Sequence, residues 1–208
     1  SAFGCCTELI SIIISESVET LGANPFERCW SLSDINVEWE THFKVVNDVL
    51  FNKEITRLIF YPYEKTGSYE IPNTVKTIDT MAFSNRTNLK SLFLPDSITE
   101  IACWAFADCC RLETIAIPRS VTSIGDYAFF KSGLVSVVIP DSVIRIGEKA
   151  FCVCNSIESI EIPKSMMEIG REAFAFCSRL KSASIPEGVE YPPDAFPSYT
   201  KITTYQSD

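Results

Sequence analysis

The sequence predicts a β-rich solenoid, a chain wound into stacked coils with a parallel sheet along one side. Two observations carry this. A Phe, usually after Ala, recurs at Phe3, Phe26, Phe83, Phe106, Phe129, Phe151, Phe174 and Phe196, 22 or 23 residues apart except between Phe26 and Phe83. A Pro closes a short alternating apolar run at Pro72, Pro95, Pro118, Pro140, Pro163 and Pro186, again 22 or 23 residues apart. A fixed period in this range marks an architecture in which each unit leaves an apolar side open and its neighbour covers it.

The unit reads Leu-x-x-Ile-x-Ile-Pro-x-x-Val-x-x-Ile-Gly-x-x-Ala-Phe-x-x-Cys, as in Leu112, Ile115, Ile117, Pro118, Val121, Ile124, Gly125, Ala128 and Phe129. The Ile-x-Ile alternation places both Ile on one face of a strand. Pro ends that strand because it has no amide to donate to the next rung. Val-x-x-Ile-Gly reads as a second short extended piece with a turn, and Gly125, Gly147 and Gly170 suit a left-handed backbone there. Ala-Phe-x-x-Cys fits one helical or 3-10 turn, too short to stand alone. Stacking sets like residues above like, ~4.8 Å apart where strands pair, and the Phe residues become a continuous spine. Truncating Phe129 or Phe151 to Ala is expected to cost ~3–5 kcal/mol.

Departures from the unit locate its irregular parts. The repeat from Phe129 is one residue short: "FFKSGLVSV" has Ser132 in the Cys place and Leu134 one position early. "YPPDAF" (Tyr191 to Phe196) replaces Ile-Gly by Pro192-Pro193, as if the solenoid were ending. The long interval after Phe26 contains one strand in register (Leu32, Ile35, Val37), then "HFKVVNDVLFNKEITRLIFYP" (His42 to Pro62). Val-Val-Asn-Asp-Val-Leu is a hairpin signal with Asn47-Asp48 at its tip, and "RLIFYP" offers a third strand. We read one domain over residues 1–208 with a β-meander inserted at 42–62.

"IPRSVTSIGDYAF" (Ile117 to Phe129) and "CNSIESIEIP" (Cys154 to Pro163) resemble the BspA-type, or Treponema pallidum type, leucine-rich repeat. The segment Phe43 to Pro72 is also similar to one found in family members from Bacteroides-like bacteria. The resemblance covers nearly the whole chain. It implies a leucine-rich repeat solenoid, a right-handed superhelix with one parallel β-sheet and short helical or 3-10 turns. It also implies a bacterial protein at the cell surface or secreted. Some members are adhesins for host matrix proteins, so the resemblance implies a protein ligand, with a host matrix protein as the candidate.

Composition narrows the function. Formal net charge is −9 and Lys and Arg form no backbone-tracking cluster, which argues against nucleic acid and anionic membrane as partners. The apolar run Leu9 to Ser15 is too short to span a bilayer, so no membrane insertion by this segment is expected. With one His, His42, no nucleophilic triad can be assembled, and Glu70 and Glu161 lie about four rungs apart, roughly 19 Å, too far to act as an acid pair. We expect no enzyme, cofactor or metal site. Nine Cys cannot all pair within the chain. Cys6, Cys29, Cys109, Cys154 and Cys177 share one place in the unit, where Arg86, Ser132 and Tyr199 stand in other repeats. A buried column is the structural reading, and a disulfide between stacked neighbours such as Cys154 and Cys177 is the oxidised alternative.

Candidate binding residues are those that point outward. On the strand face one outward column reads Ser68, Ser91, Thr114, Ser136, Ser159, Ser182, and the next reads Glu70, Phe93, Ala116, Val138, Glu161, Ser184. The second varies in size and charge, so Glu70, Phe93, Val138 and Glu161, flanked by Ser91 and Ser136, are the candidates for a concave binding face. Before each Ala-Phe comes Met81, Trp104, Tyr127, Lys149 or Glu172. With Phe130 close by, Met81, Trp104 and Tyr127 can form an outward apolar patch, or fold back over their own coils. The function read from this is a non-catalytic binding platform for a protein ligand. A glycan ligand, with Phe93 or Trp104 stacking on sugar, and a plain structural spacer are the alternatives.

Overall fold

The computed structural model describes residues 3–206, in which every regular element is a strand. In chain order these are β1 (Ser11–Ile14), β2 (Asp34–Val37), β3 (Phe43–Val46), β4 (Val49–Asn52), β5 (Arg57–Phe60), β6 (Gly67–Glu70), β7 (Thr77–Ile78) and β8 (Leu89–Phe93). They continue as β9 (Glu100–Ile101), β10 (Thr114–Ala116), β11 (Ser123–Ile124), β12 (Arg145–Ile146), β13 (Ser159–Glu161), β14 (Glu168–Ile169), β15 (Ser182–Pro186) and β16 (Lys201–Tyr205).

The central coils contribute to two parallel ladders. The Leu-x-x-Ile-x-Ile segments build the first, and the Ile-Gly segments build the second from two-residue strands in the order β14-β12-β11-β9. In both, equivalent residues pair: Ile115 with Leu92, and Ile124 with Ile101 and Ile146. The first ladder is not one sheet. It comes as β1-β2, β10-β8-β6 and β13-β15-β16. The second break falls at the short repeat, where residues 134–139 form no strand and only Val138 bridges to Ala116. Losing one residue at Ser132-Gly133 leaves that rung unable to hold register on both sides.

The turns are not helical among the described residues. Amides alternate between closing a local turn and reaching the next coil: Ala128 N donates to Gly125 O (3.3 Å), Phe129 N to Ala150 O (2.7 Å), Phe130 N to Tyr127 O (3.1 Å) and Lys131 N to Cys152 O (2.9 Å). The left-handed residues of the repeat are therefore not Gly125, Gly147 and Gly170. They fall two before and two after Phe26, Phe83, Phe106, Phe129, Phe151 and Phe174, as at Trp104 (φ 59°) and Asp108 (φ 57°), or Tyr127 (φ 56°) and Lys131 (φ 54°). A left-handed L-residue costs roughly 1–2 kcal/mol, which the bonds between coils offset. Gly125 and Gly147 serve close approach instead. A Cβ at Gly125 would lie 2.7 Å from the Cys103 amide nitrogen, and one at Gly147 2.6 Å from that of Asp126.

Inside the coil the Phe rings form the spine. Phe83, Phe106, Phe129, Phe151 and Phe174 are fully buried, with successive centroids 5.1–5.3 Å apart. The spine has a member that the Phe pattern hides. Tyr61 N donates to Ala82 O (3.2 Å), just as Phe83 N donates to Ala105 O (3.0 Å), and its ring lies 4.8 Å from that of Phe83. β5 also pairs in parallel with β7. "RLIFYP" is thus both the third strand of the meander and the back of a coil whose spine residue is Tyr.

The meander accounts for the core's division in two. β3 and β4 form a hairpin with Asn47 (φ 49°) and Asp48 (φ 64°) at the tip, the paired positive φ of a type I′ turn. β4 and β5 are buried on both faces: Val49, Phe51, Leu58 and Tyr61 join the long solenoid core, while Leu50, Ile59 and Phe60 join a smaller one with Ile14, Phe26, Leu32 and Ile35. A strand covered on both sides reads as a continuous apolar run, which is why "VLF" and "LIF" do not alternate.

Arg86 sits where the two cores meet. It occupies the Cys place of its coil yet is fully buried. Its Nε donates to Tyr61 O (2.7 Å), Nη1 donates to Ser84 O, and its guanidinium lies 4.0 Å over the Tyr63 ring and 4.8 Å from that of Phe60. No carboxylate faces it among the described residues, and burial pushes its pKa down. Aromatic faces and carbonyls take the place of a counter-ion. Arg86→Ala is expected to cost about 3–5 kcal/mol, because two carbonyls lose their donor and a cavity opens. Arg86→Met, which keeps the volume, should cost less. Urea unfolding of the two variants measures the difference.

Candidate functional site

The first ladder aligns the outward columns. Glu70 pairs in register with Phe93, Phe93 with Ala116, and Ala116 bridges Val138, giving four adjoining coils. Phe93 is 59% exposed and Val138 80%, so an apolar row lies open beside the column of Ser68, Ser91 and Thr114. Glu161 is exposed too, but on β13 in the separate sheet, so it does not continue the row. Ser91 Oγ donates to Ser68 Oγ (2.7 Å), a bond running along the stack. Ser136 is exposed outside any strand and joins no hydroxyl ladder. The same alternation extends to coils not included in the sequence-based columns: Ile13, 69% exposed, pairs with exposed Asn36. Ile12 and Ile14 on either side of it carried that signal.

The outward patch is a packed cluster. Trp104 and Tyr127 stack at 4.1 Å with their planes 5° apart, and Phe130 meets both edge-on at 5.8 and 5.6 Å. Lys149 Nζ donates to the Tyr127 hydroxyl (3.2 Å) and pairs with Glu148 and Glu172. The hydrogen bond to Tyr127, followed by the bond to Glu148 and the charge of Glu172, raises its pKa. Met81 stands apart, half-buried, its sulfur accepting from Asn24 Nδ2 (3.5 Å). The faces that would stack on a ligand are turned largely on each other. The left-handed backbone at this place lays each side chain along the stack.

All nine cysteines are free. In the shared place, Sγ donates to the Phe carbonyl of the preceding coil: Cys29 to Phe3 (3.0 Å), Cys109 to Phe83 (3.0 Å), Cys154 to Phe129 (3.1 Å) and Cys177 to Phe151 (3.1 Å). Each carbonyl already accepts one turn amide, so the thiol occupies its second lone pair. Burial raises the pKa of Cys109 and Cys154 to about 12 and of Cys152 to about 11, and pushes that of Cys177 up as well. These are poor nucleophiles and poor metal ligands. Among the described residues no group of three His, Cys, Asp or Glu side chains could hold a metal ion, and His42 is exposed just before β3.

A stack of parallel rungs, one Phe spine and variable outward columns defines a leucine-rich repeat solenoid. More narrowly, the chain belongs to the BspA type leucine rich repeat family, whose model matches in six copies over residues 1–57, 53–134 and 100–207. Among solved structures, the pneumococcal vaccine antigen PcpA is 29% identical with a TM-score of 0.83, the match covering 94% of this chain and 51% of that one. A leucine rich cell surface protein from Faecalibacterium prausnitzii is 30% identical with a TM-score of 0.66, covering 95% and 48%. A leucine-rich repeat protein from Eubacterium ventriosum is 25% identical with a TM-score of 0.73, covering 94% and 60%. The chain spans about half the length of the first two. No curated protein matches it. Family membership suggests a protein-binding or surface role on a scaffold that is typically non-enzymatic, and among the described residues no helix is long and apolar enough to cross a membrane.

The thiol assignments give a test in two parts. At pH 8, Ellman's reagent should react quickly with exposed Cys5, Cys6 and Cys110, more slowly with half-buried Cys103, and with Cys29, Cys109, Cys152, Cys154 and Cys177 only after unfolding. A thiol whose pKa is raised by folding contributes no pH dependence below its unfolded value of ~8.5. Above that the unfolded chain ionises first, so stability should fall as pH rises from there towards 12. Rapid labelling of all nine in the native protein would contradict the buried column.

Proposed function

We propose that this chain is a non-catalytic binding platform acting through protein–protein contact, in adhesion at or outside a bacterial cell surface. The observation that carries this is the row Glu70, Phe93, Ala116, Val138: an exposed apolar centre ending in a carboxylate on a hydrogen-bonded ladder. Exposed apolar residues anchor protein contacts because burying them by association removes them from water without first disturbing the fold. The ladder holds them at fixed spacing, so little order is lost on binding. Likeness to a cell surface protein and to a vaccine antigen supports the location.

Glycan binding is the second reading, and one observation favours it. Phe93 lies beside Glu70 and near the Ser68–Ser91 hydroxyl pair, a ring next to acceptors and donors of the kind a sugar uses.

Screening the protein against a panel of matrix proteins and a glycan array separates the two. With whichever ligand binds, Phe93→Ala combined with Val138→Ala should weaken affinity at least about tenfold, while stability stays within about 0.5 kcal/mol because both side chains are exposed. Unchanged affinity would remove the row from the binding face.

A further inference from the structure

The first ladder is interrupted where the hairpin is inserted, and the interruption leaves a strand edge without a partner. Among the described residues β6 pairs with β8 alone. Ile71 N donates to Phe93 O (3.1 Å), and Glu70 is the residue in register with Phe93. In a parallel pair that pattern gives Phe93 the carbonyl of Tyr69 and the amide of Ile71, so the N–H and C=O of Glu70 point the other way. By the same alternation those of Ser68 do too. Neither pair of groups has a hydrogen-bond partner among the described residues. β2, the preceding occupant of this ladder, pairs only with β1, and because Glu38 N donates to Ile14 O, its Ile35 and Val37 groups are likewise turned away.

The open edge of β6 borders a cavity of about 410 Å³ lined by Asn47 of the hairpin tip and by Ser68, Tyr69, Glu70, Ile71, Pro72 and Asn73. Lys65 fixes the tip, its Nζ donating to Asn47 O (2.7 Å) and Asp48 Oδ2 (2.9 Å). Asp48 is therefore already neutralised, whereas exposed Glu70 has no ion pair among the described residues.

We propose that the free edge of β6 is a docking site for an extended peptide segment carrying basic side chains, which adds to the sheet as a strand. The outward amides and carbonyls of Ser68 and Glu70 give the main-chain bonds, and the Glu70 carboxylate, in a chain of net charge −9, selects Lys or Arg beside it. This site shares Glu70 with the row of the proposed function but needs neither Phe93 nor Val138, so Phe93→Ala with Val138→Ala tests that row and leaves the edge intact.

The test uses the full chain and a capped seven-residue peptide of alternating lysine and valine. Binding should shift the Ser68 and Glu70 amide resonances saturably and protect both from hydrogen exchange. Methylating alternate peptide nitrogens, on the side that pairs, should weaken binding about tenfold, since the two bonds donated to the Ser68 and Glu70 carbonyls are lost. Ser68→Pro with Glu70→Pro removes two outward N–H groups but none that bond to β8, so it should weaken binding similarly while the β8 amides remain protected. Glu70→Gln should weaken it about two- to fivefold, less at high salt. Equal binding of the methylated peptide, or shifts confined to Phe93, Ala116 and Val138, would overturn the proposal. So would protection of Ser68 and Glu70 without peptide in a concentration-dependent dimer, which would assign the edge to a second copy.

Discussion

The structure depends on like residues stacking on like at a separation of one rung. A single coil has a short extended piece, a turn and an apolar inner side that it cannot cover. Repetition solves this, because each Phe ring is packed by the ring above and the ring below, 5.1–5.3 Å away. The same spacing fixes the rest of the coil. It brings the Ile-Gly corners so close that a side chain at Gly125 or Gly147 would meet the neighbouring backbone. It also places each column thiol over the Phe carbonyl of the previous coil and holds bulky residues left-handed through bonds between coils. The inner residues are therefore constrained at every repeat, and the outward ones are constrained very little.

That asymmetry connects the fold to binding. A ladder with fixed inner positions displays its outer positions at known spacing whatever they are, so recognition can change without changing the scaffold. Here the row from Glu70 to Val138 sets two large apolar side chains, Phe93 and Val138, beside the Ser and Thr column. The aromatic cluster of Trp104, Tyr127 and Phe130 is equally irregular in sequence, but its rings pack on each other, which suits it to holding successive turns together. The hairpin has a larger effect than either. By dividing the core and breaking the first ladder, it turns a strand that would otherwise be interior into an edge.

Much of this was legible in the sequence because the period is strong. The Phe and Pro columns fix the coil, the Asn47-Asp48 tip follows from the turn residues, and the exposed rank of Phe93 and Val138 follows from alternation alone. Other features were not legible for physical reasons. Tyr61 does not stand out because the spine column is Phe, and a buried Tyr fills nearly the same volume. Glycine adopts the left-handed conformation easily and so points to itself in the sequence, whereas here the bonds between coils impose that conformation on Trp, Tyr and Lys. Arg86 is one exception in a Cys column; its burial depends on Tyr61 of the insertion and Tyr63 just after it, and not on the repeat. The break at residues 134–139 needed the register of three coils at once, which no single repeat contains.

If stability resides in contacts between neighbouring coils, coupling along the spine should be short-ranged. A double-mutant cycle on Phe129→Ala and Phe151→Ala, whose rings are 5.1 Å apart, tests this against a cycle on Phe83→Ala and Phe174→Ala, which are separated by the rings of Phe106, Phe129 and Phe151. The expected coupling energy is about 0.5–3 kcal/mol for the adjacent pair, and additivity within about 0.5 kcal/mol for the distant one. Equal coupling in both cycles would contradict the account, because it would place the stability in a property of the whole chain and not in rung-to-rung stacking.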